Sequence, residues 1–226
     1  MLNDMSGKIN TAIIVAAGSG SRLASDTPKQ FLKLKDVEIL AYSVQAFLEH
    51  PQIDAVIVVT SADYLDHVIR HYPDCKVVPG GDTRQDSVFN GLEACSASTD
   101  NVLIHDAARP LIPSWVIDSC LSSLETCDGV APAITPADSM VQIEDSGFRN
   151  LNRDSLRIVQ TPQCFHLNIL KAAHASGKVD TDEMGLVKQS NPQALLGFIE
   201  GAPETMKVTR PLDLEIIKNY LDAAEK

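Results

Sequence analysis

The loop Gly18-Ser19-Gly20-Ser21-Arg22 and the lysine that follows it, Lys29, are the first residues whose types and spacing suit chemistry. Glycines tolerate positive φ and carry no Cβ, so their backbone N–H groups can close on an anion. Arg22 and Lys29 add two cations, and Pro28 stiffens the chain just before Lys29. The set suits a polyphosphate. It is not a Walker loop, and Leu23 stands where a dinucleotide GxGxxG fingerprint needs its third glycine. Gly80-Gly81-Asp82-Thr83-Arg84-Gln85-Asp86-Ser87 is a second loop. Its double glycine allows backbone contact with a flat ligand such as a base, with Ser87 offering hydrogen bonds. Asp82 and Ser87 could equally cap a following helix. In His105-Asp106-Ala107-Ala108-Arg109-Pro110, Asp106 ends an apolar stretch. There it can order a Mg²⁺ shell or a substrate hydroxyl, or pair with Arg109 across the turn. Lys207 is a lone lysine in the β-like run Met206–Thr209, either a site cation or an edge-strand lysine that deters aggregation.

The elements that must position these residues alternate in type. Thr11–Ala17, Ala55–Thr60 and Asn101–His105 are strands built around apolar runs (AIIVAA, AVIVV and VLI), as strands buried on both faces are. Lys76–Val78 and Val130–Ile134 are further strands. The spacing predicts helices over Ile39–Leu48, Ala62–His71, Gln85–Ala97 and Pro113–Thr126. This order predicts an α/β doubly wound, mainly parallel sheet, with ligands beyond the carboxyl ends of its strands. From Thr135 to Thr161 the pattern changes to short β-like pieces, Met140–Ile143 and Arg157–Gln160, around an Asp145-Ser146-Gly147 turn. We expect a projecting β-hairpin arm, which is only marginally stable alone and so predicts a second copy of the chain to pack on. Helices over His166–Ser176 and Asp182–Gln189, a strand over Ala194–Glu200 and a helix over Leu212–Ala224 complete the chain. Thr209 is the expected N-cap of the last helix and Pro211 lies in its first turn. All 226 residues are expected to form a single domain, with the arm as a subregion.

Composition narrows the function. The chain has 19 Lys+Arg against 30 Asp+Glu, a net charge of −11, which argues against nucleic acid as a partner. An anionic ligand must therefore meet a local cluster of cations. No apolar run approaches a membrane span, and residues 1–10 carry no secretory stretch. The five cysteines are odd in number and lack any CxxC, which predicts reduced thiols and a cytoplasmic protein. His67 and His71 lack the glutamate of a zincin and read as a surface helix pair.

The ordered set AAGSGSRL-(x4)-PKQ, GGDTRQDSV, HDAARP, QTPQ and MKVTRPLDL spans nearly the whole chain. Together these motifs resemble the 2-C-methyl-D-erythritol 4-phosphate cytidylyltransferases of the non-mevalonate isoprenoid pathway, and more widely the Rossmann-like nucleotidyltransferases. Pentitol-phosphate cytidylyltransferases, such as those acting on ribitol 5-phosphate, share much of the pattern, and the HDAARP form leans toward the methylerythritol enzyme. The resemblance implies CTP as co-substrate with Mg²⁺ held mainly by its phosphates, and a homodimer. It implies that Ala16, Ala17, Gly81, Asp82 and Ser87 surround the cytosine, and that Gly18, Ser19, Gly20 and the rest of the loop to Arg22 wrap the triphosphate. Arg22, Lys29 and Lys207 would hold the charge at the α-phosphate. Asp106, Ser139, Arg153, Thr161 and Thr181 would bind the methylerythritol phosphate, with Arg153 and Thr161 coming from the partner's arm. Ser139 stands where the family usually has Thr, which keeps the hydroxyl. Cys164 and His166 are read as structural. An attacking phosphate oxygen is already largely ionised at pH 7. This fits a chain with neither a Ser-His-Asp set nor a paired-carboxylate set.

Overall fold

A computed structural model describes residues 7–18 and 27–224. The chain begins with β1 (Asn10–Ala16), then a small ribbon of β2 (Lys33–Leu34) and β3 (Val37–Glu38). There follow α1 (Ile39–Leu48), β4 (Ala55–Thr60), α2 (Leu65–His71), β5 (Lys76–Pro79), α3 (Arg84–Glu93), β6 (Asn101–Asp106), α4 (Ser114–Ser123) and β7 (Gly129–Ile134). The second half holds β8 (Met140–Glu144), β9 (Gly147–Leu151), β10 (Ile158–Val159), β11 (Gln163–His166), α5 (Leu167–Ala175), α6 (Glu183–Ser190), β12 (Leu196–Glu200) and α7 (Pro211–Ala224).

The main sheet runs β10-β7-β11-β6-β1-β4-β5, with β12 also pairing with β7. β1 is parallel to β4 and to β6, and β4 is parallel to β5. Successive β1 side chains enter two cores. Ala12, Ile14 and Ala16 pack with Leu40, Val44 and Phe47 of α1 and Val116 and Ile117 of α4. Ile13 packs with Val88 and Leu92 of α3, Leu170 of α5 and Val187 of α6. A period of two in the strand thus serves a helix layer on each face. The α/β Rossmann-like expectation holds. The carboxyl ends of β1, β4, β5 and β6 share one edge, because those strands are parallel.

Several expectations are corrected. The arm pairs β8 with β9, not with residues 157–160; β10 instead joins β7 in the main sheet. Arg157–Gln160 looks β-like because it holds a strand of the core sheet. β11 was not anticipated, and it runs antiparallel to both β6 and β7. Neither Asp82 nor Ser87 caps α3: the N-cap is Thr83, in a capping box with Asp86. Thr209 does not cap α7; its hydroxyl donates to the Lys207 carbonyl, while Asp213 accepts from the N–H groups of Thr209 and Arg210. Lys207 lies in irregular chain, not in a strand.

Gly91 marks where α3 lies closest to the sheet. A Cβ there would stand 2.5 Å from Ile13 Cγ2 and 3.1 Å from Val59 Cγ2, both on β-branched side chains in the core. Gly91→Ala is therefore expected to destabilise the fold by about 1–3 kcal/mol through overpacking, despite alanine's better helix propensity. Denaturant unfolding checks this, and a stabilised variant would contradict it.

Candidate functional site

A cavity of about 460 Å³ opens at the carboxyl edge of the sheet. Its lining brings together Ala16, Ala17, Gly18, Lys29, Gly81, Asp82, Ser87, Asp106 and Lys207, all expected from the sequence. Ser19, Gly20 and Arg22 lie outside the described residues. Ser139, Arg153, Thr161 and Thr181 do not line the cavity. Ser139 and Arg153 sit on the arm segment, where Arg153 donates to the Ala137 carbonyl at 2.8 Å. Thr181 is exposed, and its hydroxyl bonds Asp180. Thr161 is buried in its own chain beneath Asp106, not carried out on the arm.

Each wall is set by local chemistry. The β1 strand ends at Ala16, and Gln30, itself buried, donates to the carbonyls of Ala16 at 2.6 Å and Gly18 at 3.0 Å. That amide holds the chain entering the glycine-rich loop. On the opposite wall Gly80 lies so near Ala17 that a Cβ would fall 2.4 Å from the Ala17 Cβ. The Gly81 N–H donates to Ser87 Oγ at 3.1 Å, and the Ser87 hydroxyl donates to the Thr83 carbonyl. The two loops thus form a slot lined by backbone and small side chains, a shape that fits a planar ring.

The floor is ionic. Asp106 Oδ2 accepts from Lys207 Nζ at 2.7 Å, and Oδ1 accepts from Arg84 Nε at 3.1 Å. Arg109 Nε stands farther off, at 3.9 Å. Burial would raise the Asp106 carboxyl, but Arg84, then Lys207 and Arg109, hold it far below the usual carboxylate range. Arg84 continues inward: its Nη1 donates to both Glu183 oxygens, at 2.7 and 2.9 Å. Burial pushes Glu183 up and Arg84 pulls it partly back. Lys29 Nζ donates to the Val208 carbonyl at 2.9 Å, and the Val208 N–H donates to the Ala108 carbonyl at 2.8 Å. Those bonds dock the segment carrying Lys207 over the end of β6.

Arg84, Glu183 and Gln30 were missed in the sequence. Arg84 and Glu183 are 99 residues apart, and no local pattern marks their pairing. Gln30 carried a signal in its place beside Lys29. The donor set does not build a magnesium cage. Both Asp106 oxygens face cations, and no group of three His, Cys, Asp or Glu among the described residues could hold a metal.

The family model for 2-C-methyl-D-erythritol 4-phosphate cytidylyltransferase matches residues 10–223. The chain belongs to that family. A Clostridium botulinum protein of that name is 37% identical over 225 residues, covering 94% of this chain and 97% of the relative. One from Thermotoga neapolitana is 34% identical over 214 residues, covering 93% and 96%. Among solved structures, the 4-diphosphocytidyl-2C-methyl-D-erythritol synthase of Anaerococcus prevotii superposes with a TM-score of 0.84 at 26% identity, over 96% of this chain and 97% of that one. The 2-C-methyl-D-erythritol 4-phosphate cytidylyltransferase of Thermus thermophilus gives 0.78 at 26% identity, over 93% and 98%. The backbone slot and the ionic floor thus occur in a chain of nucleotidyltransferase ancestry.

The Arg84–Glu183 pair ties α3 to α6 beneath the site. Glu183→Ala leaves Arg84 with half its anions and is expected to cost about 3–5 kcal/mol, the usual effect of breaking one side of a buried pair. Arg84→Met with Glu183→Leu should recover much of that stability while still impairing turnover, because Asp106 loses a partner. Melting curves with parallel rate measurements check both. If Glu183→Ala melts like the unmodified protein, the pair does not hold α3 to α6.

Proposed function

We propose that the chain transfers CMP from CTP to 2-C-methyl-D-erythritol 4-phosphate, giving 4-CDP-2-C-methyl-D-erythritol and pyrophosphate, a step of non-mevalonate isoprenoid synthesis. The observation that carries this reading is the pairing of a base-sized backbone slot with a cation-rich floor at one sheet edge. A phosphate oxygen of the polyol attacks the α-phosphorus of CTP, and the bond from that phosphorus to the β-phosphate oxygen breaks. The nucleophile is already ionised, so no side chain need remove a proton. The barrier lies in aligning two anions and stabilising the charge that gathers at the α-phosphate. Lys29 donates to the Val208 carbonyl and Lys207 to Asp106, both at the cavity, and these two lysines would supply that stabilisation, as would Arg22. Mg²⁺ would be brought in with CTP and would supply charge neutralisation at its phosphates, with no side chain of the described residues needed to cage it.

The polyol phosphate is taken to lie beside Asp106. Ser139 and Arg153 would reach it from the arm of a second copy, and Thr181 from the turn before α6. The β8–β9 arm supports this dimer. Its register sets Ile143 opposite Phe148, and both, with Val141, are exposed apolar residues on one face of a two-stranded ribbon. Such a ribbon needs a partner to be stable. All five cysteines are free thiols, which suits the cytoplasm. No helix among the described residues is long and apolar enough to cross a membrane.

With CTP, Mg²⁺ and methylerythritol 4-phosphate, the protein should release pyrophosphate faster than with ribitol 5-phosphate. Lys29→Ala and Lys207→Ala should each lower kcat by about 10²-fold or more. A variant that raises KM alone would remove its lysine from the chemical step, and preference for ribitol 5-phosphate would replace the acceptor. Sedimentation velocity should show a dimer that Ile143→Glu with Phe148→Glu turns into monomer. A fully active monomer would end the shared-site reading.

A further inference from the structure

We propose that Gln30 is a positioning residue that joins the wall of the base slot to Lys29, so that one amide sets where that lysine stands relative to a bound nucleotide. The side chain is 3% exposed and lines the cavity at the end of β1. Its Nε2 donates to the Ala16 carbonyl at 2.6 Å and to the Gly18 carbonyl at 3.0 Å. Both partners can only accept, so the nitrogen and not the oxygen of the amide must face them. The amide nitrogen carries two hydrogens, one for each carbonyl.

The backbone on either side explains the arrangement. The sheet ladder carries β1 as far as Ala16, opposite Thr60 of β4. The carbonyls of Ala16 and Gly18 lie two residues apart, the spacing at which an extended chain turns them to the same side. The Gln30 amide takes a strand's place there. On its own side Gln30 is the middle residue of a single 3-10 turn, Lys29–Phe31. The Phe31 N–H closes that turn on the Pro28 carbonyl at 2.9 Å, and the Leu32 N–H closes it on the Lys29 carbonyl at 3.2 Å. Such a turn has three residues per revolution, so consecutive side chains leave it in three directions. Lys29 reaches the Val208 carbonyl, Gln30 reaches the end of β1, and Phe31 enters the core, its ring stacked 4.2 Å from that of Tyr64.

The turn that carries Lys29 is therefore held at an apolar anchor, Phe31, and at a polar one, Gln30. With Phe31 alone the turn could pivot, and a group displaced by about 1 Å can lose on the order of 10²-fold in rate. The polar anchor is the wall of the slot itself, since Ala16, Ala17 and Gly18 line the cavity. Base and cation are thus referenced to the same three residues. The amide hydrogens also offset the partial negative charge of two carbonyl oxygens in a wall that has to accept a polyanion. Gln30 acts on the reaction through Lys29.

The kinetic half of this proposal rests on the cytidylyl-transfer reading, and an NMR measurement keeps the two failures apart. In the ligand-free full chain with ¹³C-labelled lysine, the Lys29 Cε resonance is assigned through Lys29→Ala. It should move in Gln30→Met, which keeps the length of the side chain but has no donor. An unmoved resonance in the folded variant would overturn the proposal, whether or not the protein turns over. In steady-state kinetics Gln30→Met should lower kcat by about tenfold or more, with KM for the polyol phosphate changed by less than about threefold. In a Lys29→Ala background the same substitution should lower kcat by less than about threefold, because its effect passes through the lysine. Losses that multiply in the double variant would make Gln30 a general support of the fold and overturn the positioning role. Gln30→Glu is equal in shape but donor-free when ionised, so it should lose as much or more at pH 8. Full activity of that variant would also overturn the proposal. If the unmodified protein releases no pyrophosphate with methylerythritol 4-phosphate, the reaction is misread, and the lysine resonance alone decides the role of Gln30.

Discussion

A carboxylate placed at the end of an inner strand is costly unless cations and hydrogen bonds compensate it. Asp106 meets that condition with three partners drawn from three parts of the chain. Arg84 starts α3, Arg109 follows β6, and Lys207 precedes α7. The dependence is mutual. Three cations gathered at one end of the sheet repel one another, and the carboxylate they share keeps them convergent. The protein carries eleven net negative charges, so attraction for an anionic nucleotide has to be generated here, within a few ångströms. The fold serves that need by ending β1, β5 and β6 on one edge and laying the glycine-bearing loops beside Asp106.

Rigidity at the floor comes from the layer below it. Glu183 anchors the outer end of Arg84, and Gln163 accepts from the Glu183 and Met184 N–H groups, which locks the start of α6 to β11. β11 therefore has two tasks. It reverses the sheet direction between β6 and β7, and it brings Thr161 and Gln163 under the two ends of the ionic network. A charged group held this way does not have to reorganise when a ligand arrives, which is the condition for strong electrostatic stabilisation.

Much of this was legible in the sequence because the signals are local. Unbroken apolar runs marked β1, β4 and β6, since strands covered on both faces have no polar side to show. The cavity residues Gly18, Lys29, Gly81, Asp106 and Lys207 follow those strands or fall in the ordered motifs. What stayed hidden was long-range or ambiguous. Nothing near Glu183 announces Arg84. The four residues Gln163-Cys164-Phe165-His166 show no clean alternation and follow a proline, so β11 read as connection. Thr83 and Asp82 are both good caps, and only the backbone decides between them. In the arm, Gly147–Leu151 is polar enough to pass for a loop, whereas the apolar Ile158-Val159 drew attention although it pairs with β7.

The contact between Lys29 and the Val208 carbonyl joins positions 179 residues apart, and Lys207 reaches Asp106 across 101. During synthesis β1, β4, β5 and β6 can all emerge and pair while the segment at 206–209 is still unmade. Closing so long a loop costs entropy before any contact rewards it, so this docking belongs among the last events of folding. The lysines then converge only in a finished molecule. An incomplete or frayed chain can hold most of its sheet yet lack the assembled charge cluster, which makes turnover a more sensitive gauge of completion than helix or strand content.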